Sequence, residues 1–174
     1  MQFQLESSRL YFRPLIAADD IHLFELDSNP EVHTYLGKKP VTDIQQVRDV
    51  IINIQEQYKK NGVGRMAAII KETGEFIGWA GLKIEPEVNG YKNFYDLGYR
   101  FIPRYWGKGY ATEAAKAFVD YGFNVLKLEK INAYADFDNY ASRKVLEKAG
   151  LQYIEDFEYE GDKEVWYEIF NPMR

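Results

Sequence analysis

The sequence predicts one α/β domain over residues 1–174, built on a mixed, mostly antiparallel sheet of about seven strands with helices on both faces. Three observations carry this. The length of 174 residues suits one domain and is short for two. Strand-like and helix-period segments alternate, yet several neighbouring strands are joined by turns too short for a crossover. No repeat, low-complexity tract or linker divides the chain. Hairpins outnumber crossovers, so a purely parallel, doubly wound sheet does not fit.

The first strand is Arg9-Leu10-Tyr11-Phe12-Arg13, stopped by Pro14. A short helix follows with Ile21, Phe24, Leu23 and Leu26 on its inner face, and Asn29-Pro30 breaks it. Thr42-Asp43-Ile44-Gln45 reads as a capping box with Thr42 at the N-cap. Behind it Ile44, Val47, Val50, Ile51, Ile54 and Tyr58 recur at helical spacing, and Asn61-Gly62 supplies the stop. Met66 to Lys71 and Phe76 to Ile84 make a hairpin around Glu72-Thr73-Gly74-Glu75. Pro86 and Asn89-Gly90 mark a loop, and Phe94 to Ile102 is the next strand, ending at Pro103. A helix over Tyr110 to Asn124 buries Ala111, Ala114, Ala115, Phe118 and Val119. Then come a strand at Lys130 to Ala135 and a helix at Asn139 to Ala149 stopped by Gly150. Leu151 to Tyr159 and Glu164 to Phe170 close the chain as a hairpin around Gly161-Asp162.

Composition removes several function classes. Cysteine is absent, which excludes disulfides, thiolate metal sites and cysteine nucleophiles; no metal is expected. The opening Met1 to Glu6 shows no signal-peptide pattern, and no apolar run approaches the ~20 residues of a membrane span. The expectation is a soluble, cytoplasmic protein without a membrane partner. A net charge of −5 argues against nucleic acid as partner and suits a cationic one such as an amine, although ordinary solubility explains it equally. Fourteen Tyr and eleven Phe fit an aromatic-rich sheet.

The chemistry is concentrated in Tyr99-Arg100-Phe101-Ile102-Pro103-Arg104-Tyr105-Trp106-Gly107-Lys108-Gly109-Tyr110-Ala111-Thr112-Glu113-Ala114, where a strand runs through a two-glycine loop straight into a helix. The first N–H groups of a helix lack intrahelical partners, and the helix dipole adds positive charge there. Gly107 and Gly109 let the main chain approach an anion closely, and a diphosphate suits such a site. A P-loop is excluded, because Ile102 stands at its first glycine and Gly109 follows Lys108. The dinucleotide fingerprint fails at Thr112.

The spacing Arg104-x-x-Gly107-x-Gly109 does fit, and it resembles the acetyl-CoA signature of the GCN5-related N-acetyltransferase (GNAT) family. Gly107 to Ala114 with Asp96-Leu97-Gly98-Tyr99, and the opening Arg9 to Leu15, resemble the branch holding ribosomal-protein N-terminal acetyltransferases. Asn139-Tyr140-Ala141-Ser142-Arg143-Lys144-Val145-Leu146-Glu147-Lys148-Ala149-Gly150-Leu151 is similar to the family's later CoA-contacting helix.

The resemblance implies direct attack of an amine on acetyl-CoA with both substrates bound. It places the cofactor on Phe101, Ile102, Arg104, Trp106, Gly107, Lys108, Gly109, Tyr110, Ala111, Thr112, Asn139, Ser142 and Arg143. Lys108, Arg143 and Lys148 either meet CoA phosphates or are solvated. A backbone N–H near Phe101 or Ile102 is expected to hold the oxyanion, on a strand that the resemblance implies is splayed from the next so that CoA hydrogen-bonds there like an extra strand. Ser142 is the expected acid, with Tyr153 in reserve and a structural hydroxyl as the alternative for either. Asp96 is the expected base, standing where the branch usually shows Glu; Glu85 is second. His33 either lines the acceptor pocket or lies on the surface, as His22 does. The acceptor is an amine: a protein N-terminus or a small molecule. Homodimers are common among relatives, but no interface is legible. A non-catalytic acetyl-CoA sensor on the same fold is the alternative.

Overall fold

The computed structural model describes residues 4–37 and 39–173. The strands are β1 (Leu5–Glu6), β2 (Leu10–Pro14), β3 (Met66–Ile70), β4 (Phe76–Val88), β5 (Tyr91–Phe101), β6 (Lys130–Asp136), β7 (Gln152–Tyr159) and β8 (Asp162–Phe170). The helices are α1 (Asp20–Asp27), α2 (Ile44–Asn61), α3 (Tyr110–Asn124) and α4 (Tyr140–Lys148). Among the described residues the strands form one sheet in the order β1-β2-β3-β4-β5-β6-β8-β7. Every neighbouring pair is antiparallel except β5 with β6, which is parallel.

Two adjacent residues of β5 show how the faces are covered. Successive strand side chains point to opposite sides. The Tyr99 hydroxyl reaches Ser142 of α4, whereas the Arg100 guanidinium reaches Asp27 of α1. Phe12 of β2 meets Phe118 of α3 with ring centroids 4.9 Å apart, on the α4 side. β3 is therefore buried along its whole length, with helices above and below. The main core runs through Phe12, Leu82, Phe118, Ile131, Val165 and Tyr167. A smaller aromatic cluster gathers Val88, Phe94, Phe157 and Trp166.

Local expectations hold for most elements, and the departures have physical causes. α2 is capped one residue later than the sequence suggests. Asp43 accepts from the Gln45 N–H at 2.7 Å, and Gln46 accepts from the Asp43 N–H at 3.0 Å, so the capping box is Asp43/Gln46. Val50 and Ile21 project to solvent at 41% and 68% exposure, because each helix buries a narrower stripe than its apolar residues suggest. Pro86 lies inside β4, not in a loop. The ladder steps from Glu85↔Phe94 to Glu87↔Lys92, so the missing proline N–H falls opposite Asn93, whose φ is +51°. β1 adds an eighth strand too short to show a period.

Candidate active site

The parallel β5–β6 ladder holds at Asp96↔Asn132 and records no further pair among the described residues. β5 meanwhile stays paired with β4 as far as Gly78↔Phe101, and the Ile102 N–H continues this by donating to Ile77 O at 2.9 Å. In an antiparallel pair the backbone groups of alternate residues point to opposite neighbours. Arg100 and Ile102 thus turn their N–H groups to β4, while Tyr99 and Phe101 turn theirs to the β6 side, where the strands have parted. This corrects the expectation for Ile102: its N–H is already spent, and Phe101 and Tyr99 hold the donors on the open side. Trp106 Nε1 donates to Phe101 O at 2.8 Å and ties the loop to the strand end.

A 3₁₀ turn, Pro103–Tyr105, leads from β5 into the glycine loop. Gly107 and Gly109 adopt φ of +73° and +82°, the left-handed region that disfavours a side chain. The first helical bond runs from Glu113 N–H to Gly109 O at 3.0 Å, leaving the N–H groups of Tyr110, Ala111 and Thr112 without intrahelical partners. A Cβ on Gly107 would meet nothing within 4 Å, so the loop has open space on that side. Orphan N–H groups, a helix dipole and two left-handed glycines fit a diphosphate.

Two charged residues, Arg9 and Glu113, brace this loop. Glu113 accepts from the Arg9 backbone N–H at 2.6 Å, from Arg9 Nε at 2.7 Å and from Ser7 Oγ at 2.7 Å. Arg9 Nη1 donates to Lys108 O at 2.9 Å, and its guanidinium lies 4.3 Å from the Tyr110 ring centroid. Sequence reading missed this brace, since no local pattern joins residues so far apart. Arg104 is a second correction. Its guanidinium pairs with Glu25 of α1 at the surface and points away from the loop, because the 3₁₀ turn carries it towards that helix. The Lys108 side chain is exposed.

α4 sits over the parted strands. Asn139 is its N-cap and accepts the Ser142 N–H at 3.2 Å. Ser142 Oγ lies 2.9 Å from the Tyr99 hydroxyl, which also reaches Ser142 O at 3.0 Å. Burial pushes the Tyr99 hydroxyl well above its ordinary range. Arg143 is held locally: Nη1 donates to Phe137 O at 2.9 Å and Nε to Tyr167 Oη at 3.1 Å.

Asp96 does not stand as a free base. It is 5% exposed, and its Oδ2 lies 2.5 Å from Arg65 Nη2. Burial pushes its carboxyl up, and the Arg65 guanidinium opposes that shift. Glu85 is likewise paired, with Lys83. Tyr153 lies on the edge strand β7, 52% exposed, with its hydroxyl 3.2 Å from Asp156 Oδ1; α4 does not engage it through Ser142. His33 is buried rather than superficial, with Nε2 2.7 Å from Asp27 O. Glu164 was not anticipated. It faces Asp136 across the β6–β8 ladder, at the end of β6 where β5 has parted from it. Burial first, then the Asp136 and Asp162 carboxylates, push its carboxyl up to about 7. Among the described residues no group of three or more His, Cys, Asp or Glu could hold a metal ion, and no helix is long and apolar enough to cross a membrane.

A family model described as an acetyltransferase (GNAT) domain matches residues 9–152, and the chain belongs to that family. It is an N-acetyltransferase of the GNAT fold, and enzymes of this fold use acetyl-CoA. An uncharacterized N-acetyltransferase, p20, of Bacillus licheniformis is 35% identical over 148 residues, covering 85% of this chain and 82% of that protein. Spermidine N(1)-acetyltransferase of Escherichia coli (strain K12) is 31% identical over 140 residues, covering 80% of this chain and 70% of that protein. The crystal structure of the acetyltransferase from Agrobacterium tumefaciens str. C58 superposes with a TM-score of 0.81 at 27% identity, covering 97% of this chain and 95% of that one.

Proposed function

We propose that this chain transfers the acetyl group of acetyl-CoA to a primary amine, of a small molecule or a protein N-terminus, by direct attack with both substrates bound. The observation that carries the reading is the continuous path from the parted β5–β6 backbone to the left-handed Gly107–Gly109 loop. On this reading the N–H groups of Tyr110, Ala111 and Thr112 hold the diphosphate, and Tyr99 presents its backbone groups to the amide-bearing arm. The amine nitrogen forms a bond to the thioester carbonyl carbon, the C–S bond breaks, and the thiolate takes a proton. Phe101 N–H serves the developing oxyanion, and Ser142 Oγ supplies the proton. Asp96 is committed to Arg65, so the proton of the ammonium passes to water in the site.

The amine class draws support from the spermidine-acetylating relative. The acceptor is tested by thiol release from acetyl-CoA with spermidine, a free-amine peptide and an N-blocked control peptide. Amine-dependent release supports the reading, and the best acceptor names the class. Binding of acetyl-CoA without amine-dependent release overturns it in favour of a sensor.

A further inference from the structure

We propose that Tyr99 is a positioning residue that aims the Ser142 hydroxyl at the leaving group. The proposal rests on the transferase reading above and deepens it. The Tyr99 hydroxyl lies 2.9 Å from Ser142 Oγ and 3.0 Å from Ser142 O. A phenol has one proton to give, so only one of these atoms receives it at a time. With the proton on Ser142 O, the serine hydroxyl donates back to Tyr99 and its O–H points away from a thiolate. With the proton on Ser142 Oγ, the serine O–H is released to point elsewhere, and the strands part on that side.

The setting keeps this switch neutral. Burial raises the Tyr99 pKa, so the phenol carries its proton as the transfer begins. Ser142 Oγ gives its proton to the thiolate sulfur as it takes the Tyr99 proton, and water carrying the proton released by the amine restores the phenol. Ser142 sits in the first turn of α4, with its own N–H already committed to Asn139 Oδ1. Without Tyr99, a helical serine hydroxyl turns back to a carbonyl of its own chain. The ring of Tyr99 packs against the main core, so removal of the hydroxyl alone preserves its packing.

The test compares Tyr99→Phe, Ser142→Ala and the double variant by thiol release at saturating amine, with acetyl-CoA affinity measured in parallel. The expected result is a fall of about tenfold or more in kcat for each single variant. Acetyl-CoA affinity should stay within about twofold, and the double variant should be no slower than the slower single one, as for two residues acting as a unit. A merely structural role would move affinity and thermal midpoint rather than kcat alone. Unchanged kcat in Tyr99→Phe, additive losses in the double variant, or a slow Tyr99→Phe beside a fully active Ser142→Ala each overturn the proposal. Wild-type protein that binds acetyl-CoA but releases no thiol overturns the transferase reading, and this proposal falls with it.

Discussion

Asp96 and Glu164 are carboxylates in opposite circumstances. Asp96 is buried against Arg65, whose Nη1 also donates to Gly81 O and Asp96 O, so the pair joins β4 and β5 just where β6 departs. Removing one member of such a pair leaves a buried charge unbalanced. Asp96→Asn should therefore cost about 3 kcal/mol in denaturant unfolding, while the folded fraction keeps its acetyl-transfer rate. Glu164 pairs with no such cation among the described residues, and its pKa is pushed up to about 7 in the folded protein against 4.5 ordinarily. The folded state then binds the proton more tightly. Stability from this group is fully present below about pH 4.5 and is lost as pH rises towards 7. Comparing wild type with Glu164→Gln between pH 5 and 8 should show the wild type losing about 1 kcal/mol relative to the variant, a figure discounted for partial exposure. A constant difference across that range would remove the shift. Neither environment was legible in the sequence: Asp96 was expected as base because it stands where the resembled branch usually shows Glu, and its partner Arg65 comes from a different segment.

The loop between β5 and α3 shows what an element can disclose by itself. Its glycines, helix start and failed P-loop spacing are local, and all were legible as letters. The brace from Arg9 to Glu113 was not, because the two are 104 residues apart and no local pattern joins them. The same locality explains α2, whose helical period was clear while its cap register was off by one. Gly109→Ala tests the loop. At φ +82° a methyl group brings roughly 1 kcal/mol of backbone strain, and its Cβ would lie 3.3 Å from Arg9 Nη2, a flexible neighbour that can shift. We expect acetyl-CoA affinity to fall about tenfold in calorimetry with the helix content by circular dichroism unchanged. Arg9→Gln should weaken binding in the same direction through a looser loop, without altering the Ser142 chemistry.

At the scale of the molecule, the sheet is closed on β4 and open towards β6, and helices on both faces hold that opening in place. The mixed sheet and most element bounds followed from hairpin turns and helical periods. The parting of β5 from β6 did not, since it depends on two strands separated by α3 rather than on either alone; only the family resemblance implied it. An acetyl-CoA molecule seated along this opening binds the folded state and not the unfolded chain. At a hundredfold excess over Kd it should add about 2.7 kcal/mol, raising the thermal midpoint by roughly 5–10 °C in a chain of this size. The most direct test of the account is calorimetric titration of the wild-type protein with acetyl-CoA, beside ATP and NADPH. The account predicts saturable one-to-one binding of acetyl-CoA and no comparable binding of the other two. An absence of acetyl-CoA binding would contradict it.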